Sequence, residues 1–252
     1  MEITCGIFPA LTLVDLFDKS RITLCGTTSM RTQTKFFQFH RLATADGAAT
    51  VVRVAMVCND LALANSLLGH YTKMKSSGIL SHVRSGARLY LVRMSCGHLR
   101  EGIFAISDVR DHPGLRALVK KCHTRTQSAF AALCECLPGG KDYADFARYI
   151  KPIRDTIGFH YDQKAVVWAI EDRAKRSAPF SMTIGEDINS CRFEFADGLL
   201  DTVVCRKLWQ IPPGKDVHAE ADRIGDWCFQ KSVLFFEFGE DFVCRFLREH
   251  AA

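Results

Sequence analysis

Several patterns that would assign a function class are missing from this 252-residue chain. It has no glycine-rich phosphate-binding pattern of the P-loop or dinucleotide type, and this disfavours those two classes of phosphate-binding enzyme. It also has no internal repeat and no low-complexity tract. We therefore expect a globular chain without long disordered stretches.

The apolar runs of membrane proteins are missing as well. No stretch reaches the roughly 18 to 20 uninterrupted apolar residues that span a bilayer. The first residues, Met1 to Cys5, do not form a basic region followed by an apolar run. We therefore expect a cytoplasmic location and no membrane partner.

Cysteine is plentiful, but its spacing is not that of a metal site. The chain has 11 cysteines and no Cys-x-x-Cys, and the closest pair, Cys134 and Cys136, points to different faces of a predicted helix. The tetrahedral spacing of zinc sites is therefore missing. We predict buried, reduced thiols rather than zinc ligands or disulfides, at positions such as Cys58, Cys96, Cys205 and Cys244. No metal or other cofactor is expected.

The composition is that of an ordinary globular protein. Hydrophobic residues make up 48% of the chain and charged residues 24%. The length allows a substantial core, either as one large domain or as a core domain with an extension. The net charge of +5 permits an anionic partner but does not require one.

Apolar residues recur at three- and four-residue steps over much of the chain, and this periodicity predicts helices. Glycine, serine and proline clusters separate the helices, as at Pro138-Gly139-Gly140. Asp162 is expected to cap the fifth helix, and Pro152 to kink the fourth. The predicted helices cover residues 48–75, 81–107, 113–137, 142–159 and 163–178. They predict an all-α fold, an antiparallel helical bundle.

The chain divides into three predicted parts. Residues 1–45 form a poorly defined N-terminal segment, residues 46–178 the helical bundle, and residues 179–252 an aromatic-rich, mainly helical extension. In the extension, Cys191 to Phe195 reads as a short strand or an extended segment, residues 199–209 as a helix, and 217–250 as a helix in which Gly239 allows a bend. Its many phenylalanines predict packing against the bundle or against a second subunit.

One stretch brings an arginine, an acid and a histidine together at a predicted helix end: Arg154-Asp155-Thr156-Ile157-Gly158-Phe159-His160. Four arginine–histidine pairs in the chain have four to six residues between them. This one alone also has a polar residue after the arginine, a helix-ending glycine, and Phe-His-Tyr-Asp leading into another helix. On an unbroken helix Arg154 and His160 lie about 120° apart, and a bend at Gly158 brings them toward one surface.

This stretch resembles the Arg-x(4-6)-His motif of HEPN domains, an all-helical family that includes many metal-independent RNases. The resemblance implies an HEPN-like bundle and RNA cleavage by attack of a ribose 2′-hydroxyl on the neighbouring phosphorus. It also implies a homodimer whose two motifs face one groove, in a toxin or defence context with a protein antitoxin or regulator. In the toxin branch a tyrosine often stands two places after the histidine, whereas Tyr161 here is adjacent.

The residue types suit the implied chemistry. His160 can accept and donate protons near neutral pH, because the ordinary imidazole pKa is about 6.5. Arg154 can stabilise negative charge on phosphoryl oxygens through its planar fork. Asp155 can orient His160 or a ribose hydroxyl. A structural role is the alternative, in which Arg154 pairs with Asp155, Asp162 or Asp145 and His160 is a packed core side chain.

A second group of candidate residues is basic. Arg116, Lys120, Lys121 and Arg125, with Arg110, outnumber the local acids Asp108 and Asp111. They are candidates to hold an RNA backbone beside the groove, and a solvated helix face is the alternative. For the whole chain the alternative function is a non-catalytic helical interaction module: a dimerisation scaffold, an antitoxin partner or a nucleotide sensor.

Overall fold

The computed structural model describes residues 39–75, 79–158, 162–176, 181–184, 193–212 and 215–250. Most of the predicted N-terminal segment lies outside the described residues. So do Phe159, His160 and Tyr161 of the motif and the first two residues of the predicted extended segment. The helical bounds below refer to the described ranges.

The described residues form ten α-helices and three π-helical segments, and no β-strand occurs among them, which confirms the all-α prediction. The α-helices are α1 Phe39–Ala43, α2 Ala48–Lys73, α3 Ile79–Asp111, α4 Pro113–Lys121, α5 Thr124–Cys134, α6 Tyr143–Asp145, α7 Lys151–Ile153, α8 Gln163–Lys175, α9 Glu194–Thr202 and α10 Val217–His250. The π-helical segments are π1 Phe146–Ile150, π2 Arg154–Gly158 and π3 Val203–Leu208.

Helices α2 and α3 are long and lie side by side in opposite directions. Arg53 near the start of α2 pairs with Asp108 near the end of α3, and Asp60 pairs with His98 at 3.2 Å. The inner face of α2 supplies Val54 and Leu61, both fully buried. This face continues into a single core that all the long helices share.

Helix α2 is also the one helix of the described residues that is long and apolar enough to cross a membrane. Its most apolar 18-residue window has a mean hydropathy of 1.4, and 39% of that window is buried inside the protein. The core helix of a soluble protein meets the same criterion of length and composition. Arg53 and Asp60 interrupt the apolar run.

The prediction of one helix over residues 113–137 was wrong, because the chain breaks at Cys122 and His123 into α4 and α5. The main-chain N–H of His123 donates to Asp241 Oδ2 of α10 at 2.8 Å, outside any helical pattern. The imidazole of His123 then caps α5, accepting from the N–H of Arg125 at 3.2 Å. A contact with a distant helix therefore decides this break.

The predicted helix 142–159 is present, but two of its turns are π-helical. Pro152 cannot donate a main-chain hydrogen bond to Arg148, and π1 lies directly before it in the chain. The carbonyl of Tyr149 instead accepts a 3.0 Å hydrogen bond from Trp209 Nε1. Asp162 then caps α8 as predicted, accepting from the N–H of Ala165 at 2.8 Å.

Helix α10 packs against α2 and α5 through its aromatic side chains. Phe235, Phe238, Phe242 and Phe246 are at most 1% exposed, and Phe238 stacks on Phe242 with ring centroids 4.6 Å apart. Gly239 lets α10 approach α2 closely, since a Cβ there would lie 2.4 Å from Cys58 Sγ. The helix runs from Val217 to His250 without a break.

Helix α9 packs on α3, and α8 packs on α9 and π3. Arg173 of α8 joins α9 by donating to the carbonyl of Gly198 at 3.0 Å and to Thr202 Oγ1 at 3.1 Å. Glu194 and Phe195, predicted to be extended, begin α9 instead. Acidic residues in this first turn, Glu194 and Asp197, interact favourably with the helix dipole.

Candidate functional site

Arg154 is the first residue of π2, which packs against the middle of α3. Its side chain is 38% exposed, so it is neither fully buried nor free in solvent. Ile153, the preceding residue, is fully buried and anchors this turn in the core. The guanidinium therefore stands at the surface on a fixed backbone.

This guanidinium and three neighbouring side chains form a ring of alternating charge. Glu101 Oε1 lies 3.5 Å from Arg154 Nε and 3.2 Å from Arg100 Nη1. Asp155 Oδ1 lies 3.7 Å from Arg154 Nη1 and 3.2 Å from Arg100 Nη2. Each carboxylate therefore contacts both arginines. We call these four residues, Arg100, Glu101, Arg154 and Asp155, the Arg154 cluster.

The two arginines of the cluster differ in exposure. Arg100 is only 14% exposed, and its guanidinium lies over the ring of Phe104 at 4.8 Å from the centroid. Arg154, Glu101 and Asp155 are 38%, 44% and 44% exposed. Arg100 thus forms the floor of the cluster, while the other three side chains are open to a ligand.

The cluster carries no net charge, since two guanidinium groups face two carboxylates. Half-exposed ion pairs of this kind contribute about 0 to 1 kcal/mol each to folding. A phosphate can therefore replace a carboxylate on Arg154 at small cost, and it would then bind two parallel N–H donors. Arg154 is therefore positioned by ion pairs that are weak enough to exchange for a phosphate.

The structure brings together Arg154 and Asp155 of the predicted catalytic residues. Asp155, one of the three acids considered as a partner of Arg154, is a partner, while the other contact comes from Glu101. His160 lies outside the described residues. The N–H of Asp162, the next described residue along the chain, donates to the carbonyl of Thr156 at 3.1 Å.

Sequence reasoning missed Arg100 and Glu101. Both lie inside the predicted helix 81–107, far from the motif in the chain, and no local pattern marks them. They meet Arg154 only because α3 packs against π2. Their signal in the sequence is weak: an adjacent arginine and glutamate, on a part of α3 that the other helices leave partly exposed.

The predicted RNA-binding residues lie elsewhere, on α4 and α5, and two of the four bind α10. Lys121 Nζ lies 3.2 Å from Glu249, and Arg125 Nη2 lies 2.6 Å from Glu237. Arg116 and Lys120 are exposed. Two of the four residues therefore already serve to attach α4 and α5 to α10.

A cavity of about 700 Å³ lies between α3, α8, α9 and π3. Tyr90, Ile170 and Phe195 are exposed at its mouth, and Arg93 and Asp197 supply polar groups. The remaining walls are mainly aliphatic and include Val83, Ala87, Val166, Leu199, Leu200 and Val203. This volume and lining are typical of small-molecule sites.

A half-buried acid, Asp201, lies near this cavity. Asp201 and Arg93 both line a second cavity of about 10 Å³, the size of one water molecule. Burial raises the pKa of Asp201 well above its ordinary value, and Asp197 raises it further, while Arg173 and Arg93 act in the opposite direction. The carboxyl group is therefore biased toward its neutral form.

The cysteines that the structure describes are unpaired, and most of them are buried. Burial raises the pKa of Cys58 and of Cys136 to about 11. Within the described ranges no three histidine, cysteine or acidic side chains are grouped as metal ligands. Of the cysteines predicted to be buried, Cys96 and Cys205 are buried, whereas Cys58 and Cys244 are only half buried.

Comparison with known proteins adds no relative, because no family model, curated protein or solved structure matches this chain.

Proposed function

We propose that the chain is an HEPN-like, metal-independent endoribonuclease whose active site is the Arg154 cluster together with His160. The observation that supports this most directly is the position of Arg154. It is half exposed, stands on a turn anchored in the core, and is held by carboxylates that a phosphate can replace. It precedes His160 by six residues.

In this proposal RNA supplies its own nucleophile. His160 accepts the proton of a ribose 2′-hydroxyl as its oxygen bonds to the adjacent phosphorus. The bond from phosphorus to the 5′ oxygen breaks, and protonated imidazole donates to that leaving oxygen. Arg154 stabilises the charge on the phosphoryl oxygens during attack. The products are a 2′,3′-cyclic phosphate and a 5′-hydroxyl.

The two carboxylates are positioning residues in this proposal. Glu101 lies 3.5 Å from Arg154 Nε, which is buried and makes no hydrogen bond, and leaves the outer face of the guanidinium for phosphate. Asp155 bridges both arginines and lies five residues before His160 in the chain. Removing either charge should weaken catalysis less than removing Arg154 itself.

The test is degradation of RNA by the purified protein in EDTA, with end-group analysis of the products. Arg154→Ala and His160→Ala should each lower the cleavage rate by at least about 100-fold, the usual range for a missing charge stabiliser or proton carrier. Arg154→Lys should also be severely impaired, because an ammonium lacks the planar fork. Cyclic phosphate ends should disappear in parallel.

Arg148→Ala is the matched control. Arg148 is an exposed arginine two turns earlier in the same helical stretch, and it donates to the Trp209 carbonyl at 3.2 Å rather than to the cluster. This variant should cleave like wild type. Cleavage that persists in both Arg154→Ala and His160→Ala, or wild-type protein inert toward diverse RNAs, contradicts the proposal.

The 700 Å³ cavity supports a second candidate function, a non-catalytic ligand-binding module. Its walls are mostly apolar, so they favour an apolar or amphiphilic small molecule over a nucleotide. The fluorescent probe anilinonaphthalene sulfonate should bind there. Ala196→Trp, inside the cavity, should abolish the fluorescence gain, while Ala131→Trp on the exposed face of α5 should not.

A further inference from the structure

Helix α2 has apolar side chains on two opposite faces. The inner face lies in the core, while Val52, Met56, Leu63 and Leu67 on the outer face are 40%, 58%, 62% and 39% exposed. A helix that is apolar on all sides is normally covered on all sides. The outer face of α2 therefore lacks a partner among the described residues.

The four exposed residues form one straight stripe. Their spacings are four, seven and four residues, which places them within about 60° of one another around the helix axis and over about 22 Å along it. We call them the α2 stripe. Asn59 and Asp60 lie at its midpoint, both exposed.

The spacing of the α2 stripe is the same read from either end. Val52 and Leu67 lie equally far from the midpoint, and so do Met56 and Leu63. When two identical surfaces pair about a two-fold axis, residue i of one copy contacts residue j of the other, and j contacts i. The surface must therefore be complementary to itself. A second α2 helix running in the opposite direction meets this condition, whereas an unrelated partner would have no need of it.

We propose that the α2 stripe is the contact surface between two copies of this chain, paired antiparallel about a two-fold axis near residues 59 and 60. Met56 then lies level with the partner's Leu63, and Val52 level with the partner's Leu67. Asn59 comes close to the partner's Asn59, where two carboxamides can hydrogen-bond and fix the register. The inference does not rest on the proposed ribonuclease activity.

The edges of the stripe suit such a contact. On the α3 side, Arg53 is paired with Asp108, and Asp60 lies 3.2 Å from His98 Nδ1. On the other side Ala62 and Ser66 are exposed and small, which allows the helices to approach closely. The stripe is short, so we expect a dissociation constant of about micromolar order.

The first experiment is sedimentation velocity of the purified chain from about 1 to 200 µM, a range that brackets micromolar association. Wild type should shift from monomer to dimer, and the double variant Met56→Glu/Leu63→Glu should stay monomeric. The matched control is Val167→Glu, at a residue of α8 with 47% exposure, and it should dimerise like wild type. Circular dichroism of each variant verifies that it is folded.

The second experiment tests the direction of pairing. Met56→Cys and Leu63→Cys chains are mixed, treated with a short bis-maleimide and analysed by mass spectrometry. Antiparallel pairing should yield links between positions 56 and 63, while links between two copies of position 56 indicate parallel pairing and overturn the proposal. Dimers that persist in the double glutamate variant, or a wild type that stays monomeric, overturn it as well.

The membrane alternative has its own measurement. Wild type is floated with vesicles of equal parts phosphatidylcholine and phosphatidylglycerol. If monomeric wild type floats with the vesicles and Met56→Glu/Leu63→Glu does not, the stripe is a lipid-binding surface and the second-copy proposal is wrong. We expect neither protein to float.

Discussion

The indole Nε1 of Trp209 donates a 3.0 Å hydrogen bond to the main-chain carbonyl of Tyr149, in the π-helical turn before Pro152. Trp209 is 2% exposed, so both groups are removed from water. The bond ties the end of π3 to the start of the motif helix. It therefore connects the C-terminal half of the chain to the turn that carries Arg154.

Trp209→Phe should destabilise the fold by about 1 to 3 kcal/mol, the cost of a buried carbonyl that loses its donor. A phenyl ring remains, but part of the indole is lost, so the change removes packed volume together with the hydrogen bond. Urea unfolding followed by circular dichroism measures it. Trp168→Phe, at a half-buried tryptophan beside Lys207, is the control and should cost less. Equal losses of unfolding free energy in the two variants would show that the lost ring volume matters more than the hydrogen bond.

Gly239→Ala should destabilise the protein by about 1 to 3 kcal/mol, because the added Cβ overpacks the contact between α10 and α2. Its nearest neighbour would be Cys58 Sγ, 2.4 Å away. Adding Cys58→Ala should recover much of the loss, since that change removes the sulfur. Denaturant titration of both variants gives the two free energies.

Gly225→Ala, in the same helix, is the control for Gly239→Ala. A Cβ at Gly225 meets no atom within 4 Å, so alanine should stabilise α10 by about 0.5 to 1 kcal/mol through its better helix propensity. A stabilising effect at both glycines would mean that α10 and α2 are less closely packed at Gly239 than described.

Asp201→Asn should stabilise the protein at neutral and higher pH. The raised pKa of Asp201 means that the folded state binds its proton more tightly than the unfolded state. Its favourable contribution is complete below the unfolded pKa of about 3.9 and is lost as pH rises through the folded pKa. The gain from asparagine should therefore be large at about pH 8 and small at about pH 4.

Thermal melts of wild type and Asp201→Asn across this pH range measure the effect. In a chain of this size, each kcal/mol of stability changes the melting temperature by about 2 to 4 °C. The charged neighbours of Asp201 are Arg93 on α3, Arg173 on α8 and Asp197 on α9. Asp197→Asn should lower the pKa of Asp201 and give a smaller gain. A pH-independent gain in Asp201→Asn would refute the burial argument.

Arg116→Ala/Lys120→Ala should weaken binding of single-stranded RNA if this surface holds the backbone. Two lost phosphate contacts should reduce the slope of log affinity against log salt by about 1.4, at about 0.7 for each contact. Fluorescence anisotropy in the His160→Ala background avoids cleavage during the titration. Lys121→Ala/Arg125→Ala is the comparison and should change the slope less, because Glu249 and Glu237 already occupy these side chains.

Features decided within a few residues could be predicted from the sequence. The aspartate cap of α8 at Asp162, the break at Pro138-Gly139-Gly140 and the apolar faces of α2 and α3 all follow from local chemistry or periodicity. The all-α class follows from them. Local signals are sufficient here because caps and helical faces involve neighbours in the chain.

Features decided by distant contacts could not be predicted. The main-chain N–H of His123, at the break, is paired with Asp241, and the carbonyl of Tyr149 is paired with Trp209. The same holds for the candidate site: Arg154 and Asp155 are adjacent in the chain, whereas Glu101 joins them only through the packing of α3. Such contacts leave no periodic trace in the sequence.

The three π-helical segments have a consequence for changes in chain length. A π-helical turn holds one residue more than the α-helical turn it replaces, since its hydrogen bonds span five residues rather than four. Removing one residue from 203–208 can therefore restore an ordinary turn without displacing the helix on either side. Within the described residues, these segments are therefore places where the core should tolerate the deletion of a single residue.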